Sequence, residues 1–171
     1  MNIVLTGFMA TGKSSVGKIL AGRLGWAFYD TDDMIEEQTG HSIADLFSKG
    51  GEEPFRELEA HTVSLVALMD KAVIATGGGA PLRASNMDEL EKNGVVFCLT
   101  AKPGTVWERL RDDPATRPLL RGDESRRRIE ELLETRRSVY ARCRSAIATD
   151  GLSPEKVVER VLEAVPKEIR P

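Results

Sequence analysis

A short apolar run, Asn2-Ile3-Val4-Leu5-Thr6, leads without a break into Gly7-Phe8-Met9-Ala10-Thr11-Gly12-Lys13-Ser14. The octet fits G-x-x-x-x-G-K-[ST], the phosphate-binding loop that joins a strand to a helix. Each fixed position has a physical reason. Gly7 and Gly12 permit turns that a Cβ would obstruct, so successive N–H groups can face one anion. Lys13 brings a mobile positive charge to the β- and γ-phosphates of a nucleotide, and Ser14 offers a hydroxyl to Mg²⁺. Apolar residues at Val16, Ile19, Leu20 and Leu24 follow at helical spacing. The loop is therefore expected to end at a helix N-terminus, where the dipole favours anions. Gly12, Lys13, Ser14 and Ser15 are the expected phosphate contacts.

The rest of the chain constrains the class. At 171 residues it is long enough for one domain with a real core. A 41% apolar and 30% charged composition is that of an ordinary globular protein, and a net charge of −3 gives no global attraction to nucleic acid or acidic lipid. No apolar run is long enough to span a bilayer. The N-terminus lacks a basic region followed by an apolar stretch, so no leader is expected and the chain reads as complete and cytoplasmic. Cys98 and Cys143 have no metal-ligand spacing and read as reduced thiols. His41 and His61 are isolated and read as surface or helix-face residues.

Apolar runs at Ile3–Leu5, Ala27–Tyr29, Ala72–Ala75, Val95–Leu99 and Ala146–Ala148 alternate with helical patterns. That alternation predicts a parallel α/β sheet covered on both faces. Right-handed crossovers then place the loops after each strand on one edge, where ligands bind. Gly25 and Gly40 read as helix C-caps, Ser42 with Asp45 as an N-cap pair, and Ser153-Pro154-Glu155 as a helix start. Asp112 to Pro118 breaks the preceding helix, and the polar stretch beyond it reads as mobile.

Two further segments stand on the expected ligand edge. Asp30-Thr31-Asp32-Asp33 follows the second run, and a kinase needs carboxylates there to position Mg²⁺ and to orient the attacking hydroxyl. Helix capping by Asp32 or Asp33 is the competing reading. Thr76-Gly77-Gly78-Gly79 follows the third run, and three successive glycines suit close approach of backbone to a ligand.

Together these pieces resemble shikimate kinase: GFMATGKSSVG at 7–17, DTD at 30–32, Phe55-Arg56, TGGG at 76–79, RPLL at 117–120, and Arg136 four residues before Tyr140. They run in order over nearly the whole chain. The resemblance implies a P-loop kinase fold of the nucleoside-monophosphate-kinase type. Its five-stranded parallel sheet is flanked by helices, with a mobile lid at about 112–124 of a single domain spanning 1–171. It also implies transfer of the γ-phosphoryl group of ATP to the 3-hydroxyl of shikimate, in aromatic amino-acid biosynthesis. Lys13, Asp32 and Arg117 would be catalytic. Ser14 would bind Mg²⁺, and Asp30 would support the metal through water. Arg109 and Pro154 would flank the adenine, and Arg117 would reach from the lid over the transferring phosphate. Asp32 would bind the attacking hydroxyl. Arg56 and Arg136, with a backbone N–H around Gly78, would hold the carboxylate, and Gly77, Gly78 and Gly79 together would line the substrate. Residue 10 is Ala where many members of that family carry Gly, and a methyl is expected to be tolerated there at an ordinary φ. Asp33 receives no role.

The chemistry is coherent on its own terms. Guanidinium groups match a planar carboxylate with paired hydrogen bonds. Good orientation alone supplies roughly 7–11 kcal/mol of barrier reduction. A gluconate or nucleoside-monophosphate kinase would share the phosphate loop but not the DTD, Phe-Arg and triple-glycine set. Nucleic-acid binding through 102–144 is disfavoured, since twelve Lys/Arg there are interleaved with eight Asp/Glu. An ATP-binding module without chemistry would not need Lys13, Ser14, Asp32, Arg117 and Arg136 together. No membrane partner is expected, and a monomer is the default.

Overall fold

Each of the five apolar runs becomes a strand. The computed structural model describes residues 1–111 and 125–169, and places β1 at Asn2–Thr6, β2 at Ala27–Asp30, β3 at Ala72–Ala75, β4 at Gly94–Thr100 and β5 at Ser145–Ala148. All pairings are parallel, in the order β2-β3-β1-β4-β5. β1 is central, so the chain leaves it toward β2 on one side and later reaches β4 on the other. That reversal is the switch point at which open α/β sheets leave a crevice beyond the carboxyl ends of their strands.

Helices form the crossovers: α1 (Lys13–Leu24), α2 (Thr31–Thr39), α3 (Ile43–Gly50), α4 (Glu52–Ala67), α5 (Ala84–Lys92), α6 (Pro103–Arg111), α7 (Ser125–Thr135), α8 (Arg137–Tyr140) and α9 (Pro154–Ala164). Successive side chains of a strand point to opposite faces, and β1 distributes its residues accordingly. Ile3 and Leu5 pack with Val16 and Leu20 of α1 and Val157, Val158 and Val161 of α9. Val4 packs instead with Val63 and Val66 of α4 and Met87 and Leu90 of α5. Ile3, Val4 and Leu5 are all fully buried, each contributing about 1.5–3 kcal/mol of burial. A third cluster, Phe8, Met9, Cys98, Val106, Leu110, Ile129 and Tyr140, roofs the carboxyl end of β1 and β4.

The expected punctuation is present. Gly25 and Gly40 close α1 and α2 in the left-handed region, with φ of 67° and 68°. Ser42 caps α3 by accepting from the Asp45 N–H, and Ser153 caps α9 by accepting from the Lys156 N–H. One expectation changes: α2 is capped by Asp30, whose carboxylate accepts from the Asp32 N–H, while Asp32 and Asp33 occupy the first turn. Asp32 is thereby released from the capping role that competed with a functional one.

Candidate active site

The turns after β1, β2 and β3 meet. The first of them is the phosphate loop. Gly7 has φ of 132°, and a Cβ there would collide with the Leu99 carbonyl oxygen, so the strand can only leave the sheet here through glycine. Gly12 has φ of 93° and forms the N-cap of α1, whose opening N–H groups have no intrahelical acceptor. Lys13 is folded back over the loop, its ammonium donating to the Gly7 carbonyl at 2.9 Å and the Phe8 carbonyl at 2.8 Å. Thr11 donates to the same Phe8 oxygen at 2.8 Å. Ser14 and Ser15 lie exposed in the first turn of α1.

Residue 10 departs from expectation. Ala10 has φ of 59°, the left-handed region, where a β-carbon costs roughly 1–2 kcal/mol. Its carbonyl accepts from Arg109 Nη1 at 2.9 Å, and the same guanidinium donates to Thr149 Oγ1 at 3.1 Å and the Thr149 carbonyl at 3.1 Å. Arg109 therefore ties the phosphate loop to the end of β5. Pro154 opens α9 a few residues further along. The two expected adenine neighbours thus stand on the segments either side of that tie.

Next to the loop, the Ser14 hydroxyl donates to Asp30 Oδ2 at 2.6 Å, while Asp30 Oδ1 accepts from the Asp32 N–H at 3.0 Å. One hydroxyl and one largely buried carboxylate meet at the helix end that faces the phosphates. This hard oxygen pair suits Mg²⁺, which keeps several waters and is held by few protein groups plus phosphate oxygens. Among the described residues no group of three or more His, Cys, Asp or Glu is placed to cage a metal. Asp33 is exposed, and its carboxyl pKa is raised by desolvation and by Asp30, against the lowering effect of Lys18.

The residues expected to hold the acceptor come from α2, the glycine triplet, α4 and the α7–α8 junction. None of the three glycines has a positive φ; a Cβ at each would instead crowd a neighbouring group. A Cβ on Gly77 would stand 2.5 Å from Asp32 Oδ1 and 2.9 Å from Glu59 Oε1, and one on Gly78 would stand 3.2 Å from the Met9 nitrogen of the phosphate loop. A Cβ on Gly79 would overlap the Arg56 guanidinium. The Gly77 N–H donates to Thr31 Oγ1 at 2.9 Å, and the Gly77 carbonyl accepts from Ala80 at 3.1 Å. No described residue accepts from the Gly78 or Gly79 N–H.

Arg56 is held on every side. Nη1 donates to Glu59 Oε2 at 2.8 Å and Nη2 to Glu52 Oε1 at 3.0 Å. Its guanidinium carbon lies 5.8 Å from the Phe47 ring centroid and 5.4 Å from that of Phe55. Glu59 is 1% exposed, and Oε1 has no hydrogen-bond partner among the described residues. An unpaired buried acceptor costs about 1–3 kcal/mol, which is tolerated where a donor arrives with substrate. Desolvation raises the Glu59 pKa, opposed by Arg56 and Arg136 and reinforced by Asp32. Arg136 sits half-buried between α7 and α8, 5.8 Å from the Phe8 ring centroid. Arg117 and the expected lid lie outside the described residues.

Two participants were not singled out from sequence. Nothing in the sequence marks Glu59, since an Arg–Glu pair at that spacing reads as solvated surface. Glu52 fits that description at 66% exposure, whereas Glu59 does not. Tyr140 was visible only as a spacing from Arg136; its buried phenol O–H donates to the Gly78 carbonyl at 2.7 Å. A separate open hollow of about 460 Å³, lined by Glu91, Val95, Arg142 and Cys143 among others, shares no residue with this site.

Comparison with known proteins decides the family. The family model described as shikimate kinase matches residues 9–166. The chain belongs to the shikimate kinase family. It is 46% identical to the shikimate kinase of Thermodesulfovibrio yellowstonii over 162 residues, covering 95% of this chain and 93% of that one. A shikimate kinase structure from Acinetobacter baumannii, in complex with shikimate, is similar with a TM-score of 0.90 and 33% identity, covering 95% of this chain and 90% of the other. The Aquifex aeolicus shikimate kinase is similar with a TM-score of 0.83 and 33% identity, covering 96% and 95%. A gluconokinase from Sinorhizobium meliloti reaches a TM-score of 0.61 at 18% identity over 95% of this chain and 90% of that one, a likeness of fold alone. The activity of this shikimate kinase family member is the ATP-dependent phosphorylation of shikimate in aromatic amino-acid biosynthesis, with Mg²⁺ as the metal.

Proposed function

We propose that the two halves of this cleft divide the reaction between them, with the acceptor's 3-hydroxyl as nucleophile. The observation that carries the reading is the run of contacts Ser14–Asp30–Asp32. It sets a metal-suited corner of the phosphate loop one hydrogen bond away from a carboxylate that borders the triplet.

Lys13 exchanges its two loop carbonyls for the β- and γ-phosphate oxygens as the nucleotide arrives. The N–H groups of Gly12, Lys13, Ser14 and Ser15 complete the cradle, and Arg109 and Pro154 border the base. Ser14 would hold Mg²⁺ directly and Asp30 through water; when bound, the metal neutralises charge that develops on the transferring group. Asp32 accepts a hydrogen bond from the attacking hydroxyl and takes its proton as the oxygen bonds to the γ-phosphorus and the bond from that phosphorus to the departing ADP oxygen breaks. Arg56 and Arg136 bind the carboxylate with the N–H groups of Gly78 and Gly79, the Gly77 N–H being engaged by Thr31. Arg117, on a lid over 112–124, would reach the transferring phosphoryl group and exclude water. The enzyme acts as a single-domain cytoplasmic monomer, with no nucleic-acid or membrane partner. Among the described residues no helix is long and apolar enough to cross a membrane.

The test is an ADP-release assay with shikimate, gluconate and AMP as rival acceptors, with the phosphorylated carbon of the product located by NMR. Shikimate is expected to exceed both rivals by about 10³-fold or more in kcat/KM, because a site built for specific hydroxyls leaves polar groups unpaired when offered another acceptor. Comparable rates with gluconate, or phosphate on a different hydroxyl, would refute the assignment of Asp32. Sedimentation at assay concentration tests the monomer.

A further inference from the structure

Tyr140 lies in the apolar cluster that roofs the strand ends, 8% exposed, with its ring packed among residues that include Phe8, Cys98 and Ile129. A tyrosine so placed could have been phenylalanine as far as packing is concerned. Its hydroxyl instead spans 62 positions of sequence to donate to the Gly78 carbonyl at 2.7 Å. Burial is the main cause that raises the phenol pKa, while the positive charge of Arg136 lowers it. The net rise keeps the O–H protonated, and therefore a donor, through the neutral range.

The peptide geometry gives that bond a consequence. In a trans peptide the C=O and the following N–H point in opposite directions. Anchoring the Gly78 oxygen on the roof side turns the Gly79 N–H the other way. The flanking Gly77 and Gly79 carbonyls are held by the Ala80 and Leu82 N–H groups at 3.1 Å and 2.9 Å, and the Gly78 oxygen between them is held by Tyr140; glycine's conformational freedom makes each such tie count. The Tyr140 N–H donates to the Arg136 carbonyl at 3.1 Å, and Arg56 fills the space beside the Gly79 α-carbon. Tyr140 is thus bonded to two of the segments assigned to the carboxylate, the triplet through its phenol and Arg136 through its backbone.

We propose that Tyr140 is a positioning residue of the carboxylate site: its hydroxyl locks the Gly78–Gly79 peptide so that the Gly79 N–H is presented to the acceptor's carboxylate alongside Arg136. This rests on the assignment of the triplet and the two arginines to that carboxylate. Tyr140 touches no reacting atom, and its effect is confined to acceptor binding.

The experiment compares the wild-type enzyme and Tyr140→Phe with shikimate and with its uncharged carboxamide. Wild type is expected to bind shikimate at least tenfold better than the carboxamide. Tyr140→Phe is expected to raise the KM for shikimate about five- to tenfold, on the scale of one neutral hydrogen bond. It should leave kcat, the KM for ATP and the KM for the carboxamide within twofold. Equal losses on both acceptors, a matching rise in the KM for ATP, or no loss at all would overturn the role of Tyr140 while leaving the carboxylate site standing. If wild type itself does not distinguish acid from amide, the carboxylate site falls and this proposal with it. A second readout needs no variant: in ¹⁵N-labelled wild type the Gly79 amide proton should move downfield with shikimate and not with the carboxamide. An unmoved Gly79 resonance would overturn the proposal.

Discussion

The nucleotide half and the acceptor half of the cleft are made in different ways. The phosphate loop is one continuous stretch, Gly7 to Ser15, whose ligands are mostly backbone groups and whose shape is set by glycines at positive φ. The acceptor half draws side chains from α2, α4 and the α7–α8 junction, and its glycines keep ordinary φ values. In the first, glycine is needed for the conformation of the chain; in the second, for the room it leaves to other side chains. Any small anion with the right spacing suits a backbone cradle. On the proposed assignment, a cleft walled by Arg56, Glu59, Asp32 and Arg136 would discriminate, because each group must be matched by the ligand or left unpaired.

That contrast can be broken by substitution. The largest effect is expected for Lys13→Ala, which removes both the phosphate contact and the clasp on the Gly7 and Phe8 carbonyls. ADP release should fall by at least about 10²–10³-fold, the loss typical of one group stabilising transition-state charge. Retained turnover would mean the loop does not bind the transferred phosphate. Gly79→Ala comes next. Its methyl would occupy the place of the Arg56 guanidinium, so the KM for shikimate should rise about 10–100-fold with the KM for ATP unchanged, in line with the loss of a charge-assisted hydrogen bond. A parallel rise in both would erase the division into halves.

A subtler test uses pH. Burial raises the Glu59 pKa above its ordinary 4.5. Its carboxylate therefore pairs fully with Arg56 only above the folded value, and the KM for shikimate should worsen as pH falls through it. Stability runs the other way. Between 4.5 and the raised value the folded chain holds more protons than the unfolded one, so this group's contribution declines as pH rises across that window. Glu59→Gln should abolish both slopes, raising the KM about tenfold at neutral pH to the acid-limb value. An unaltered KM–pH profile would show that Glu59 does not govern Arg56. The smallest effect is reserved for Ala10→Gly. Relief of left-handed strain, roughly 1–2 kcal/mol, is offset by about 0.4–1 kcal/mol of added unfolded-state freedom. A rise of about 1–3 °C in Tm with unchanged kcat is expected, following the usual scaling for a domain this size.

The same contrast explains what could be read from the chain. Strand order aside, the sheet was legible because its strands are short apolar runs between helical patterns. The phosphate loop was legible because its requirements fall on neighbouring residues. Asp30 was expected to support the metal, yet its task as the cap of α2 was not seen. Capping was weighed only for Asp32 and Asp33, and a residue at the last position of a strand gives no local sign that it also begins a helix. Glu59 escaped because i,i+3 spacing from an arginine looks the same on a wet face and a buried one. Only packing against Asp32 and Gly77 separates them. Ala10 misled because φ is not written in a side chain: alanine implies an ordinary backbone, and the loop imposes another, with Arg109 anchoring its carbonyl.

The shared space between Arg56 and residue 79 also limits how this protein can change by descent. While the arginine stays, no residue with a β-carbon fits at 79 without displacing it. Were the arginine lost first, a larger residue at 79 could settle in and bar its return. Change at these two places is thus contingent on order, and the pair behaves as a ratchet, although twenty-three positions of chain separate them.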